Sequence, residues 1–288
     1  MITWRPEVKF NIKKIKELFN FGSKLLVSSL INTVYRNLRS LVVGKEFTSA
    51  TLGFLNRAEQ LPGLIVNNID GSIQSVLFPV YSSEQENREV LKALMRKAIK
   101  LSSFIMFPMM MGLAAVTSEI IPILLGDQWL PSVGLMQILC FEYVFYPIHT
   151  ANLQAINSVG RSDVYLKLEI IKKIIGIILL LFSIRFGITG IALSSVLISL
   201  ICTFINAYPN KKLLNYGYIQ QVKDILPGFL IAGVMAAIVY SMSVFNINIF
   251  LLLVLKIAAG VLIYTALAVF FCKEEVETLK QIIRTFKV

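Results

Sequence analysis

The chain alternates between long apolar segments and short polar connections, and the apolar segments number eight. Each is about 20 residues long or longer, which is what a helix needs to cross the hydrocarbon core of a bilayer. The segments cover residues 20–43, 61–82, 99–121, 134–156, 165–186, 187–208, 225–245 and 249–271. The pattern predicts an all-α polytopic membrane protein with about eight transmembrane helices. The first two segments are the most polar and the last two the most apolar.

Composition supports this class and argues against several others. Apolar residues make up 56% of the 288 positions and charged residues only 16%, against about 25% charged in a soluble domain. That balance excludes a disordered chain and argues against a soluble enzyme. The three cysteines lie in or beside apolar segments, and there is a single histidine, so we predict no disulfide framework, no metal site and no cofactor. No catalytic signature is present, and no connection is long enough for a catalytic domain, so we do not expect an enzyme.

The basic residues predict an orientation. The net charge is +11, and 21 of the 28 Lys and Arg residues fall on alternate connections, with three on the others. This asymmetry predicts that both termini are cytoplasmic. It also explains the positive charge without nucleic acid, which we exclude as a partner. We expect residues 1–19 to form a cytoplasmic amphipathic lead-in and residues 272–288 a cytoplasmic tail. The segments 88–100 and 274–288 are amphipathic, which favours contact with membrane lipids over a solvated connection.

Polar residues inside the apolar segments are the candidates for function, because charges in a bilayer normally face a bundle interior or a wet cavity. In the first segment five of them are spaced 4, 4, 4 and 3 residues apart and share one helix face. The candidates for lining a cavity are Lys24, Asn32, Arg36, Arg39, Asn67 and Gln74, with Ser28 on the same stripe. The alternative is internal pairing, for example of Arg36 with Glu142, that only neutralises buried charge.

Four further residues are candidates for coupling or for charge pairs. They are Asp70, Glu142, His149 and Lys256. Asp70 lies near the middle of the second segment, where desolvation would raise its proton affinity and a nearby arginine would lower it. His149 either titrates near neutral pH or is simply hydrogen-bonded.

Four stretches carry a resemblance to a known family. They are FGSKLLVSSLINTVYRNLRSLVVGKEFTSATLGFLNRAEQLP (21–62), SIQSVLFPVYSSEQ (72–85), EIIPILLGDQWLPSVGLMQIL (119–139) and LQAINSVGRSDVYLKLEIIKKIIGI (153–177), which is followed by FGITGIA (186–192). In these stretches the chain resembles the Wzx-type polysaccharide flippases of the multidrug/oligosaccharidyl-lipid/polysaccharide exporter superfamily.

The resemblance implies flipping of undecaprenyl-pyrophosphate-linked oligosaccharides across the bacterial inner membrane, for the biosynthesis of polysaccharides such as O-antigen. Such proteins have two six-helix lobes around a cationic cavity, and some have two extra C-terminal helices. This chain looks like the second lobe, residues 20–208, with the two extra helices at 209–271. The expected partners are the lipid-linked oligosaccharide, membrane lipids, and a missing N-terminal lobe or polysaccharide assembly proteins.

Arginine suits a pyrophosphate because its planar guanidinium can bind two oxygens at once. On this basis Arg36 and Arg39 are expected to bind the pyrophosphate or the glycan. Two other functions stay open. One is a cation-coupled multidrug exporter of the same superfamily, in which Asp70 and Glu142 would dominate. The other is a non-transporting fragment or assembly partner.

Overall fold

The computed structural model describes residues 11–245 and 247–285, and in this part of the chain all regular structure is helical. The predicted all-α membrane fold is confirmed. The helices are α1 (Ile12–Glu46), α2 (Ser49–Ser83), α3 (Arg88–Leu125), α4 (Ser132–Tyr143), α5 (Tyr146–Ser158), α6 (Ser162–Ser183), α7 (Gly187–Leu214), α8 (Tyr218–Ser241), α9 (Ile249–Phe271) and α10 (Lys273–Thr285).

The eight predicted segments correspond to eight rods of helix, with α4 and α5 together forming the fourth. Four stretches of the described residues are long and apolar enough to cross a membrane: Arg88–Leu125, Ser162–Leu214, Tyr218–Val244 and Ile249–Phe271. The second of these contains both α6 and α7, separated by a short turn that Gly187 makes with a φ of 72°. Helices α1 and α2 fall outside this set although each has 35 residues, because they carry many polar side chains.

The fourth rod, which the sequence predicts over 134–156 with a kink at Pro147, is broken beside that proline. Helix α4 ends at Tyr143 and α5 begins at Tyr146. Pro147 explains the break, because its ring nitrogen has no hydrogen to donate to the carbonyl of Tyr143 four residues earlier.

Helix α3 is the centre of the bundle. It packs against α8, α4, α5 and α9. Of its most apolar 18-residue stretch 67% is buried, whereas only 17% of the corresponding stretch of α9 is buried. The exposed apolar residues of α6 to α9 therefore form the lipid-facing surface. Helix α1 lies at the periphery and packs mainly on α6.

Ion pairs show which helix ends lie together. Arg96 near the start of α3 bonds Asp224 near the start of α8 at 2.6 and 2.8 Å. Lys100 of α3 contacts Glu274 of α10. We call this the basic end of the bundle, because α1 begins there as well and the predicted basic connections share it. Glu119 near the end of α3 pairs with Lys256 near the start of α9 at the opposite end.

Two of the predicted amphipathic segments are continuous with the helices that follow them. Residues 88–100 form the first turns of α3 and continue into its apolar part. Residues 12–19 likewise continue into α1. Residues 1–10 of the predicted lead-in and residues 286–288 of the predicted tail lie outside the described residues. The division into a lobe at 20–208 and two additional helices at 209–271 stays a prediction.

Candidate functional site

The polar stripe of α1 faces away from the residues that the helix exposes to lipid. Leu26, Leu30 and Val34 are 60%, 55% and 63% exposed and share one face. At about 100° per residue, Arg36 lies roughly 120° away from the centre of that face. Arg36 is nevertheless exposed, so it opens onto space that is not the lipid-facing surface. Lys24 and Asn32 lie on the same stripe and are half-buried.

Helix α2 carries an exposed polar face that is longer than predicted. We define the α2 polar face by its exposed members Asn56, Gln60, Asn67, Gly71 and Gln74. At 1.5 Å per residue this face is about 27 Å long, close to the thickness of the hydrocarbon core. The sequence places residues 44–60 in a connection, but α2 begins at Ser49.

A cleft separates α1 and α2. The two helices meet near the turn that joins them, where a Cβ atom on Gly44 would lie 3.3 Å from Leu52, and beyond it α1 turns to α6. A cavity of about 570 Å³ lies along the α2 polar face, and it is also lined by Trp129 and Tyr143. The α2 side of the cleft is thus lined largely by polar side chains.

Arg39 is bound in a charge cluster near the closed end of this cleft. Its guanidinium lies 3.1 Å from the carboxylate of Glu59 on α2 and also interacts electrostatically with Glu142 on α4. The buried Oε2 atom of Glu142 has no hydrogen-bond partner among the described residues. Arg39 therefore neutralises carboxylates of two neighbouring helices.

Arg36 differs from Arg39 although they lie on one stripe. Within residues 11–245 and 247–285, no hydrogen bond or ion pair engages its guanidinium. The pairing of Arg36 with Glu142, considered from the sequence, is wrong: Glu142 interacts with Arg39 instead. Arg36 is therefore an unpaired cation of α1 within the described part of the chain.

The polar surface of α2 extends toward the basic end of the bundle through Asn67, Asp70 and Gln74. The Asp70 carboxylate accepts a short hydrogen bond from Thr150 on α5 and a 2.9 Å bond from Gln74. Asp70 therefore joins α2 to α5, while the neighbouring Asn67 is exposed to the cleft.

His149 and Lys256 lie away from the cleft surface. The ring nitrogens of His149 lie 3.3 Å from Ser199 Oγ and 3.2 Å from Asn206 Nδ2, both on α7. The Lys256 ammonium is fully buried and lies 2.6 Å from both Glu119 and Ser243. Both residues join helices, and neither contacts the cavity along α2.

Two residues of the site were missed from the sequence. Glu59 was assigned to a connection, and Lys173 on α6 was assigned to the cytoplasmic end of its segment. The ammonium of Lys173 lies 4.6 Å from the ring centroid of Tyr35 on α1, beside Arg36. A helical wheel of α2 extended back to Ser49 would have found Glu59, whereas the contact between α1 and α6 has no signal in the sequence.

The cleft can accommodate an anionic or hydroxyl-rich group inside the membrane. Guanidinium and ammonium groups form charge-assisted hydrogen bonds with phosphate or carboxylate oxygens. The exposed amides of the α2 polar face can both donate to and accept from hydroxyl groups.

Comparisons with known proteins agree with this fold. The model of a family described as "Polysaccharide biosynthesis protein" matches residues 1–134. The chain is 25% identical over 276 residues to the teichuronic acid biosynthesis protein TuaB of Bacillus subtilis, covering 92% of this chain and 56% of TuaB. It is 24% identical over 230 residues to the lipopolysaccharide biosynthesis protein WzxC of Escherichia coli, covering 79% of this chain and 47% of WzxC.

A solved structure shares the fold. The lipid II flippase MurJ, in an inward closed conformation, superposes with a TM-score of 0.75 at 18% identity, covering 94% of this chain and 57% of MurJ. The chain spans about half the length of the curated relatives it matches. Together, the family match, the relatives and the MurJ-like membrane fold confirm that this chain resembles the Wzx-type polysaccharide flippases.

Proposed function

We propose that the chain is part of a flippase for lipid-linked oligosaccharides, in which the cleft between α1 and α2 carries the head group. The substrate class we propose is an undecaprenyl-pyrophosphate-linked oligosaccharide. The polyprenyl tail stays in lipid, so only the diphosphate and the sugars need a polar path. Such transport moves the substrate without making or breaking a covalent bond, so no catalytic residue is required.

One observation carries the proposal: α1 and α2, which are long enough to cross a membrane but lack a sufficiently apolar stretch, carry exposed polar side chains. The α2 polar face supplies exposed amides over about 27 Å, and Arg36 of α1 is free of ion pairs among the described residues. Burying such groups in lipid without partners costs several kcal/mol each, on the order of 2–3 for a charge at the membrane centre. The relatives named for lipopolysaccharide and teichuronic acid biosynthesis support the choice of a glycan.

The proposal also specifies the membrane in which the protein acts and the lobe with which it pairs. The basic connections favour the bacterial inner membrane with both termini cytoplasmic. The cleft of this chain forms one side of a substrate path, and a second helical lobe forms the other. Residues 20–208 then act as one lobe, and the helices at 209–271 support it through α3.

Glycan export in cells tests the proposal. The native transporter gene is replaced by a copy that carries Arg36→Gln together with Asn67→Ala, and surface glycan is quantified with a lectin. We expect at least a tenfold loss of surface glycan, because two consecutive contacts with the head group disappear. Protein level in the membrane is measured on the same cells by immunoblot.

Arg185→Gln is the matched control. This exposed arginine lies in the turn between α6 and α7, away from the cleft, and its removal changes the net charge by the same amount. Its export should equal that of the unmodified protein. Undiminished export by the Arg36→Gln/Asn67→Ala variant would show that the cleft does not carry the glycan.

A further inference from the structure

The contact between α1 and α6 is built around a tyrosine that lies on a glycine. A Cβ atom added to Gly176 of α6 would lie 2.6 Å from the hydroxyl oxygen of Tyr35 and 3.0 Å from its Cζ atom. Those separations are too short for any side chain larger than hydrogen to coexist with the ring. Gly176 therefore allows the hydroxyl end of the Tyr35 ring to approach α6 closely.

The Tyr35 ring, which packs against Gly176, holds the Lys173 side chain beside Arg36. The Lys173 ammonium lies 4.6 Å from the Tyr35 ring centroid, within the range of a cation–π interaction. Arg36 follows Tyr35 directly in α1, and the two cations repel each other. The Lys173 side chain is 23% exposed and Arg36 is exposed, so both cations are accessible from outside the bundle.

The carboxylates nearby do not balance these cations. Glu169 is buried and makes a short contact with Lys172, whereas it lies 4.0 Å from Lys173, at the limit of an ion pair. Glu142 interacts with Lys173 as well, but Arg39 is its stronger partner. Glu59 pairs with Arg39.

The cluster as a whole is one carboxylate short. Among the described residues it contains four cations (Arg36, Arg39, Lys172 and Lys173) and three carboxylates (Glu59, Glu142 and Glu169). Because Arg39 and Lys172 are in ion pairs, the uncompensated positive charge lies at Arg36 and Lys173. Lys173 is 11 residues into α6, which places it about 16 Å along the helix, near mid-membrane.

Two adjacent, incompletely neutralised cations at that depth fit an anion with two neighbouring charged groups. A carboxylate offers one charge, whereas a diphosphate offers two phosphate groups side by side. Arginine binds one phosphate through two oxygens, and lysine meets the other as a point charge. We infer that Arg36 and Lys173 form a diphosphate-binding pair in the cleft, with Tyr35 as the positioning residue that holds Lys173. This assignment rests on the proposed function and replaces Arg39 by Lys173 as the second cation.

Binding of short polyprenyl probes tests the pair. The 288-residue chain is reconstituted in nanodiscs of neutral phosphatidylcholine and titrated with farnesyl diphosphate, farnesyl monophosphate and farnesol. Inorganic pyrophosphate distinguishes a free anion from a lipid head group. We expect Lys173→Gln and Arg36→Gln each to weaken farnesyl diphosphate binding about tenfold, as expected for losing one charge-assisted contact, and to reduce the preference for diphosphate over monophosphate.

The controls separate charge from position and from folding. Lys167→Gln removes an exposed lysine from the basic end of the same helix and should bind like the unmodified chain. Arg39→Gln combined with Glu142→Gln removes one charge of each sign and should stay within about threefold, which is less than one such contact is worth. Lys173→Arg, which keeps the positive charge, should bind like the unmodified chain. Tyr35→Phe, which keeps the ring, should bind, whereas Tyr35→Leu should lose the preference for diphosphate.

The outcomes distinguish this pair from the proposed function. If the unmodified chain prefers farnesyl diphosphate to farnesol and Lys173→Gln binds equally well, the pair is wrong and the flippase proposal stands. If the unmodified chain shows no preference for the diphosphate, both fail. A loss in the Arg39→Gln/Glu142→Gln variant as large as that in Lys173→Gln would return Arg39 to the site and overturn the assignment.

Discussion

The guanidinium of Arg39 lies 3.1 Å from the carboxylate of Glu59, and this pair joins α1 to α2 close to the turn between them. Glu142 of α4 interacts with the same guanidinium. One arginine therefore holds together three helices at the closed end of the cleft, while Arg36, one turn away, is left for a ligand.

Removing Arg39 should destabilise the protein rather than act on binding alone. Arg39→Leu leaves Glu59 and Glu142 without their cation, and breaking a mostly buried pair in this way costs about 3 kcal/mol in the free energy of unfolding. Thermal unfolding in detergent measures the loss.

Lys45→Leu is the matched control for Arg39, because it removes an exposed cation from the same helix. Its effect should be within about 0.5 kcal/mol, as for most surface substitutions. Adding Glu59→Gln to Arg39→Leu should recover part of the stability. If the single and double variants unfold at the same temperature, the two side chains are not coupled.

The buried pair of Lys256 and Glu119 should behave in the same way for α9. Lys256→Met leaves a carboxylate in the bundle without its cation, and we expect a loss of about 3 kcal/mol. Because two well-packed neutral side chains often replace a buried ion pair at little cost, Lys256→Met with Glu119→Gln should regain most of that loss. Equilibrium unfolding of both variants in mixed micelles measures this. A double variant as unstable as the single one would contradict a paired role.

An amide network joins α5, α7 and α8. Asn152 exchanges hydrogen bonds of 2.8 and 2.9 Å with Gln221 and accepts a 2.8 Å bond from Asn210. Asn152→Leu removes these three bonds and leaves the buried amides of Gln221 and Asn210 with only longer bonds to backbone carbonyls. It should lower the free energy of unfolding by about 2–3 kcal/mol. Asn67→Leu, at an exposed position of α2, is the comparison in the same unfolding assay and should change stability much less.

Helix α10 is held to α3 by Lys100, which contacts Glu274 and lies 3.0 Å from Glu275. Since Glu274 is largely exposed, Lys100→Gln should speed hydrogen exchange of the α10 amides only about two- to fivefold, in line with the small energies of exposed pairs. Lys97→Gln is the control on the same helix turn. Unchanged exchange in Lys100→Gln would show that apolar contacts alone hold α10.

The same contact should depend on pH. The hydrogen bond from Lys100 lowers the pKa of the Glu274 carboxyl. A carboxyl whose pKa is lowered by folding stabilises the docked helix above its unfolded pKa, about 4.3 for Glu, and this contribution is lost as the pH falls through the lowered folded value. Exchange of α10, corrected for the intrinsic rate, should therefore rise below about pH 4 in the unmodified chain and change less in Lys100→Gln.

The sequence predicts the apolar part of the fold well because one physical property, the hydrophobicity of each helix, decides it. Helices α6 to α9 begin and end within several residues of the predicted segments, since long apolar runs have no alternative but to cross the membrane. The start of α2 could not be found this way, because Asn56, Glu59 and Gln60 are as polar as a connection. The break at Pro147 lies where the sequence predicts a kink, because proline has no backbone N–H to donate within a helix.

The site was predicted less completely. The stripe on α1 identifies both Arg36 and Arg39 from their spacing, but only the position of α2 shows that Glu59 engages one of them. Lys173 was assigned to the end of its segment because neighbouring lysines usually mark a membrane surface. Its place beside Tyr35 follows from the close approach of α1 to Gly176, which is a property of two helices far apart in sequence.

The polarity of α1 and α2 has a consequence for how the protein is made. A nascent helix partitions from the translocon into lipid according to its own apolarity, and these two helices lack the apolar windows that α3 and α6 to α9 possess. Their insertion must therefore wait for neighbours: α1 for α6, which is synthesised more than a hundred residues later, and α2 for α4 and α5. Among the described helices, those that line the cleft leave the ribosome before the neighbours on which their insertion depends, and they can settle in the membrane only after those neighbours have arrived.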